Sequence, residues 1–264
     1  MVADPGPWLR SVRRSHDQLA AQVQALTPAD LGAPSYCPEW TIADVLSHLG
    51  SQAEIFSLFV DAGLGGGDAP DQSAFQPVWD SWNSRAPEDQ AADSVTANEQ
   101  LVSRLENLEA DALRSFRLDM FGMSLDAAGL LRMRLSEHAV HAWDIAVALD
   151  PAAVIAPDAV DLLIDGLPEM AARAGKPAPK AARITVRTSD PDRRFALQTE
   201  GVSLEPKAGT AHDTDDADDG WIELPAEALI RLVYGRLDGV HRGPEPVTAP
   251  TVSLDQLLSL FPGF

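Results

Sequence analysis

The sequence predicts an α+β protein, with an antiparallel four-helix bundle over residues 1–150 followed by a small α+β domain over 155–264. Three observations carry this reading. Long segments of the first 150 residues repeat apolar side chains at helical spacing. The stretches between them are rich in turn-forming residues. After residue 150 the pattern shifts to short strand-like runs separated by Asp, Pro and Gly.

Taken in order, Leu9, Val12, Leu19, Val23 and Leu26 predict a first helix over 8–27. The stretch TPADLGAPSYCPEW, ending at Trp40, reads as a loop over 28–40. Thr41 is followed by Asp44, close to a capping box, so a second helix starts there and ends in the glycine cluster GLGGGDAPDQ. A third helical region covers 76–113 with a break near Pro87, and a fourth runs from near Ser124 to near Asp150, ahead of Pro151. Four long helices with connecting loops make a bundle. Beyond it, PDAVDLLIDGLPEMAARAG reads as one helix. Strands follow at 182–189, 193–200 and 219–225, then a helix in AEALIRLVYGRL and another in SLDQLLSLF. The acidic run DTDDADDG lacks calcium-loop spacing and a closing glutamate, and reads as a solvated loop.

Hydrophobic residues make up 45% of the 264, enough for a real core. The net charge is −20, with three lysines, so the surface repels phosphate backbones, which disfavours nucleic acid as a partner. The single cysteine, Cys37, cannot form an internal disulfide, which fits a reducing cytosol. The N-terminal MVADPGPWLRSVRRSH has no apolar signal-peptide run, and no segment approaches the ~20 apolar residues of a membrane span. The expectation is a soluble cytoplasmic protein with no membrane partner.

The fourth helix raises a chemical question. At about 100° per residue, Glu137, His141 and Asp144 fall within roughly 60° of one face. Leu130, Met133, Val140 and Ala148 flank them, so the polar groups lie inside the apolar stripe. Burying such groups unpaired costs several kcal/mol, on the order of 2–7 for each neutral polar group. A divalent metal would compensate them, since Glu and His four apart on a helix point the same way. A third ligand should come from a facing helix. His48 is the candidate, flanked by Val45, Ile55 and Phe59 on the second helix. Other readings stand beside this one. An i,i+4 Glu–His pair can be a helix-surface ion pair, a core histidine can bond a backbone carbonyl, and Arg134 can neutralise Glu137. Asp144 suits a carboxylate that orients His141. His138 is rotated off the face, and Trp143 points away by about 120° as a packing residue. Trp40 reads as a pin holding the loop on the bundle, and Cys37 as a small packed residue.

The segments CPEWTIADVLSHLG and RLSEHAVHAWDIAVAL, with their W-x7-H and E-x3-H-x2-D patterns, resemble the mycothiol-dependent maleylpyruvate isomerase family. The likeness spans nearly the whole chain and includes the ending LSLFPGF. It implies a DinB-like metal-binding bundle followed by a domain resembling sterol-carrier proteins. It also implies that His48, Glu137 and His141 are the metal ligands, with zinc the foremost ion. Arg236, in LVYGRLDG, looks like the family's functional C-terminal arginine; a guanidinium there would hold a carboxylate of the thiol or the substrate. Its other reading is a helix C-terminal arginine stabilised by the dipole.

The function these features imply is a metal-dependent enzyme with mycothiol as co-substrate. The metal activates the thiol, which attacks a small electrophile, as an S-transferase or a thiol-assisted cis–trans isomerase. The alternatives are a non-catalytic binding module with a structural metal, and a metal-dependent hydrolase.

Overall fold

The computed structural model describes residues 4–66, 68–120, 122–208, 218–238, 240–241, 246–249 and 251–263. The chain forms two compact units that meet in sequence at Asp150 and Pro151.

In the first unit, helices α1 (Gly6–Val23), α2 (Pro28–Leu31), α3 (Ile42–Gly65), α4 (Gln76–Asn83), α5 (Pro87–Glu106), α6 (Ala110–Ser115) and α7 (Ala127–Leu149) follow one another. A two-stranded hairpin of β1 (Leu118–Met120) and β2 (Met123–Leu125) precedes α7. The four long helices are α1, α3, α5 and α7. Both α1 and α3 pack on α5 and α7, so α1 stands diagonally opposite α3 and α5 opposite α7, and the 24–41 connection crosses from α1 to α3.

Local chemistry fixes where α3 and α7 begin. Thr41 Oγ1 accepts the Asp44 N–H at 3.1 Å, and the Asp44 carboxylate accepts the Thr41 N–H at 2.9 Å. The Asp126 carboxylate accepts the Gly129 N–H at 2.8 Å at the start of α7. Such caps contribute about 1 kcal/mol each. Gly66, at φ +67°, ends α3 in the left-handed region. Leu19, Ile42, Val45, Leu46, Leu49 and Ile145 form one buried cluster that ties α1, α3 and α7 together. At about 1.5–3 kcal/mol per fully buried large side chain, this packing, not helix propensity, holds the register of α3 and α7. Gly50 lets α4 approach: a Cβ there would stand 2.2 Å from the Trp82 ring.

Several boundaries differ from the sequence expectation. The third helical region is three helices, with the break falling just before Pro87. The loop over 28–40 contains α2, capped by Thr27 with Asp30. The β1–β2 hairpin was not anticipated, because three-residue strands show no periodicity. Ala148 is exposed, so the buried apolar stripe around the polar groups ends before it.

The second unit contains α8 (Pro157–Leu163), α9 (Leu167–Ala174), α10 (Ala226–Val233) and α11 (Leu254–Leu260). The expected single helix over 157–175 is broken by a 3-10 turn at Ile164–Gly166, where Gly166 and Pro168 disfavour continuation. Its mixed sheet has the order β5 (Ser203–Pro206), β4 (Arg193–Gln198), β3 (Arg183–Ser189), β6 (Gly220–Pro225), β7 (Val247–Thr248). Strand β3 runs parallel to β6 and antiparallel to β4, placing Phe195, Val186 and Ile222 in one buried row. Strands β5 and β7 were missed for their shortness. Of the acidic run, residues 213–217 lie outside the described residues. Asp218 is held by Lys207 Nζ at 2.8 Å and Arg183 Nε at 3.2 Å, so there it is a salt-bridge partner. No helix among the described residues is long and apolar enough to cross a membrane.

Candidate metal centre

Helix α3 carries His48 inward, and α7 carries Glu137 and His141 toward it. His48 Nε2 lies 3.5 Å from Glu137 Oε2, and His141 Nε2 lies 3.8 Å from the same oxygen. The two imidazoles meet edge to face, with centroids 4.6 Å apart. One ligand atom from each residue fits within a span of 4.8 Å. Ligand atoms about 2.0–2.2 Å from a tetrahedral zinc stand about 3.3–3.6 Å apart, so the cluster has the right size. His48 Nε2 is buried and without a hydrogen-bond partner, a costly condition that a bound cation would relieve. On both grounds the residues fit a divalent metal.

The protonation states also suit ligation, which requires neutral imidazole and ionised carboxylate. Burial pushes His48 below its ordinary value, outweighing its contact with Glu137. For Glu137, burial acts upward, but its close approach to His48, and then to His141, leaves the carboxyl below its ordinary value. Glu137 is deep among protein atoms yet keeps 42% of its side-chain surface open. That surface lines a cavity of ≈ 680 Å³ within the first unit.

Behind the cluster, the fully buried Asp144 carboxylate stands 2.8 Å from His141 Nδ1. An Nδ1–H donated to Asp144 turns the Nε2 lone pair toward Glu137 and His48. The Cys37 thiol donates to the same carboxylate oxygen at 3.1 Å, and its sulfur lies 3.8 Å from His141 Nδ1. The Tyr36 N–H donates to the Asp144 carbonyl at 3.1 Å. Ser35 closes this loop, its hydroxyl donating to the Trp40 carbonyl at 2.9 Å while accepting the Cys37 N–H at 3.1 Å. The loop thus places Tyr36, Cys37 and Trp40 against the site.

Trp40 does pin the loop against α3 and α7, and it does more than that. It is 38% exposed, its ring 5.4 Å from the His48 ring and stacked at 6.4 Å on His141. It is a wall of the site. Nothing in its sequence neighbourhood marks it so except the W-x7-H spacing. Cys37 is more than a packing residue, since it reaches the Asp144 carboxylate; a lone cysteine in a loop gives no sequence signal of that.

The competing assignments resolve geometrically. Arg134 is buried and bonds Asn98 and the Leu49 carbonyl, with its guanidinium over Phe56, rather than pairing with Glu137. His138 turns to α1, its Nδ1 2.8 Å from Ser15 Oγ. Trp143 is buried against Tyr36, as expected of a packing residue. With His138 turned away and Asp144 engaged at Nδ1, neither supplies a fourth ligand. Arg236 lies in the second unit, just beyond α10, where its Nη1 donates to the Tyr234 carbonyl at 2.8 Å.

Comparison with known proteins bears on the family and the fold. The mycothiol maleylpyruvate isomerase N-terminal domain family matches residues 12–146. A crystal structure of the mycothiol-dependent maleylpyruvate isomerase superposes with a TM-score of 0.69 at 14% identity, over 95% of each chain. A histidine-to-alanine mutant of that isomerase gives a TM-score of 0.68 at 13% identity, again over 95% of each chain. At such identity the superpositions speak for the fold alone. Comparison with curated protein sequences finds no match. With the family matched across its bundle and the fold shared end to end, the chain belongs to the mycothiol maleylpyruvate isomerase N-terminal domain family.

Proposed function

We propose that this protein is a metal-dependent, mycothiol-using enzyme that joins a thiol to a small electrophile, as an S-transferase or as a thiol-assisted cis–trans isomerase. The observation that carries the reading is a cluster of three ligating groups that opens, through Glu137, onto a large cavity. Catalytic metal sites take three protein ligands and keep a position for substrate, whereas structural sites are closed by a fourth. A divalent metal, zinc foremost, would supply positive charge that deprotonates a coordinating thiol.

The chain's own groups divide the remaining work. His48 and His141 give neutral nitrogens and Glu137 a negative oxygen, so one charge of a dication stays uncompensated for an anionic sulfur. Asp144 fixes the His141 tautomer. Trp40 covers the two imidazoles from solvent. The cavity receives the electrophile, where apolar walls keep water from competing with sulfur. Arg236 is proposed to hold a carboxylate, on the strength of the family likeness at its Gly-Arg step.

The test is elemental analysis of wild type and His141→Ala, purified side by side without chelator or nickel affinity, followed by assay of mycothiol-dependent turnover of small electrophiles. About one equivalent of metal in wild type, lost in the variant, is the expected result. No metal in wild type after reconstitution with zinc would overturn the reading.

A further inference from the structure

The cavity beside Glu137 has a chemical character of its own. Phe56, Phe59, Phe75 and Trp79 form a continuous edge-to-face aromatic series, with successive centroids 5.4, 5.6 and 6.0 Å apart. Ile55, Met120 and Met133 complete the apolar wall. The charged residues that line it are Asp71, Asp119 and Glu137, and among the described residues no lysine, arginine or histidine does. A dicarboxylate would therefore leave water for an apolar surface rimmed by like charge. At ≈ 680 Å³ the cavity sits in the middle of the range of about 300–1,000 Å³ typical of pockets that enclose a drug-sized ligand.

We propose that the second substrate is an uncharged electrophile with an apolar, aromatic-sized body, held in this cavity with its reactive carbon toward Glu137. The catalytic part of this statement rests on the thiol-enzyme reading above; the binding part does not. In the reaction, a sulfur lone pair forms the new C–S bond, and the thiol's proton is lost to solvent. A leaving group then departs with its bonding pair. With a polarised double bond, the π pair moves to the neighbouring carbon, which takes a proton from water.

The experiment is fluorescence displacement on the purified, metal-assayed protein, with N-phenyl-1-naphthylamine as the uncharged probe. Cinnamamide and cinnamate, alike in shape and different in charge, compete with it, as does maleate. Probe emission is expected to rise on binding, cinnamamide to displace it at least tenfold more effectively than cinnamate, and maleate not to displace it. Met133→Trp, which fills the cavity, should weaken probe binding at least tenfold. Asp71→Asn combined with Asp119→Asn should narrow the amide-over-acid ratio, and decides the matter if Met133→Trp does not fold. Cinnamate or maleate competing as well as the amide would overturn the proposal, as would absence of probe binding or its persistence in folded Met133→Trp. Metal content on the same samples separates the two ideas. Probe selectivity without metal sinks the thiol enzyme and keeps the pocket's preference; metal without probe binding does the reverse.

Discussion

The Asp144 carboxylate meets His141 Nδ1 at 2.8 Å, and the Cys37 thiol meets the same carboxylate oxygen at 3.1 Å. His141 is thereby aimed by a residue one helical turn away, which is itself gripped by a loop that enters from between α1 and α3. Groups that orient a metal-ligating histidine typically change metal affinity by about 10–100-fold when removed. Asp144→Ala is expected to lose zinc affinity in that range, read by competition with a chromophoric chelator. Asp144→Asn, which keeps an acceptor, should lose less. Unchanged affinity in Asp144→Ala would show that His141 does not depend on this carboxylate.

Trp40 lies against both imidazoles yet offers no ligand atom. Its removal should separate metal binding from thiol binding. In Trp40→Ala the metal stoichiometry is expected to stay near one. Thiol affinity should fall roughly 2–10-fold, the equivalent of about 0.5–1.5 kcal/mol for one aromatic contact. Titration of zinc and then of mycothiol into the same sample checks both halves. Loss of metal would assign Trp40 a structural role instead.

Much of the candidate metal cluster was legible in the sequence because helices are periodic. Glu137, His141 and Asp144 share a face by spacing alone, and the Thr41–Asp44 pair fixes where α3 starts and so the phase at which His48 emerges. What escaped were contacts with no periodic signature. Cys37 and Trp40 reach the site through a loop whose path is set by Ser35 and by the Tyr36 bond to Asp144. The aromatic cavity wall joins α3 to α4 and to the turn before it, residues far apart in sequence that become neighbours only through tertiary packing. The two-residue β7 and four-residue β5 were likewise too short to show a period.

Gly50 lies two residues after His48, where α4 approaches α3. A Cβ at this position would collide with the Trp82 ring at 2.2 Å, and Trp82 is further held by its Nε1–H donating to Glu54 at 2.9 Å. Gly50→Ala is therefore expected to destabilise the fold by about 1–3 kcal/mol, despite the better helix propensity of alanine. Denaturant unfolding at neutral pH measures it. A variant as stable as wild type would mean that α4 gives way without cost.

Stability should also fall on acidification in two separate windows. Burial holds His16 below its ordinary 6.5, although Glu99 lies 3.0 Å from its Nε2. The unfolded chain takes up this proton near pH 6.5 while the folded one does not. Stability is therefore lost as pH falls from about 6.5 toward the folded value, at no more than about 1.4 kcal/mol per pH unit for one group. His138, pushed down by burial and then by Arg134, acts in the same direction. Glu99 works in a lower window. The Arg13 hydrogen bond, with that of Ser103, holds its carboxyl at about 2, so its contribution is present above pH 4.5 and lost as pH falls toward 2. Glu99 is half exposed, so salt should weaken this lower limb. Denaturant melts from pH 8 to pH 3 are expected to show a shallower upper limb in His16→Gln, the remainder being due to other buried histidines such as His138. Glu99→Gln should flatten the limb below pH 4.5. An upper limb unchanged in His16→Gln would mean that His16 is not held neutral in the fold.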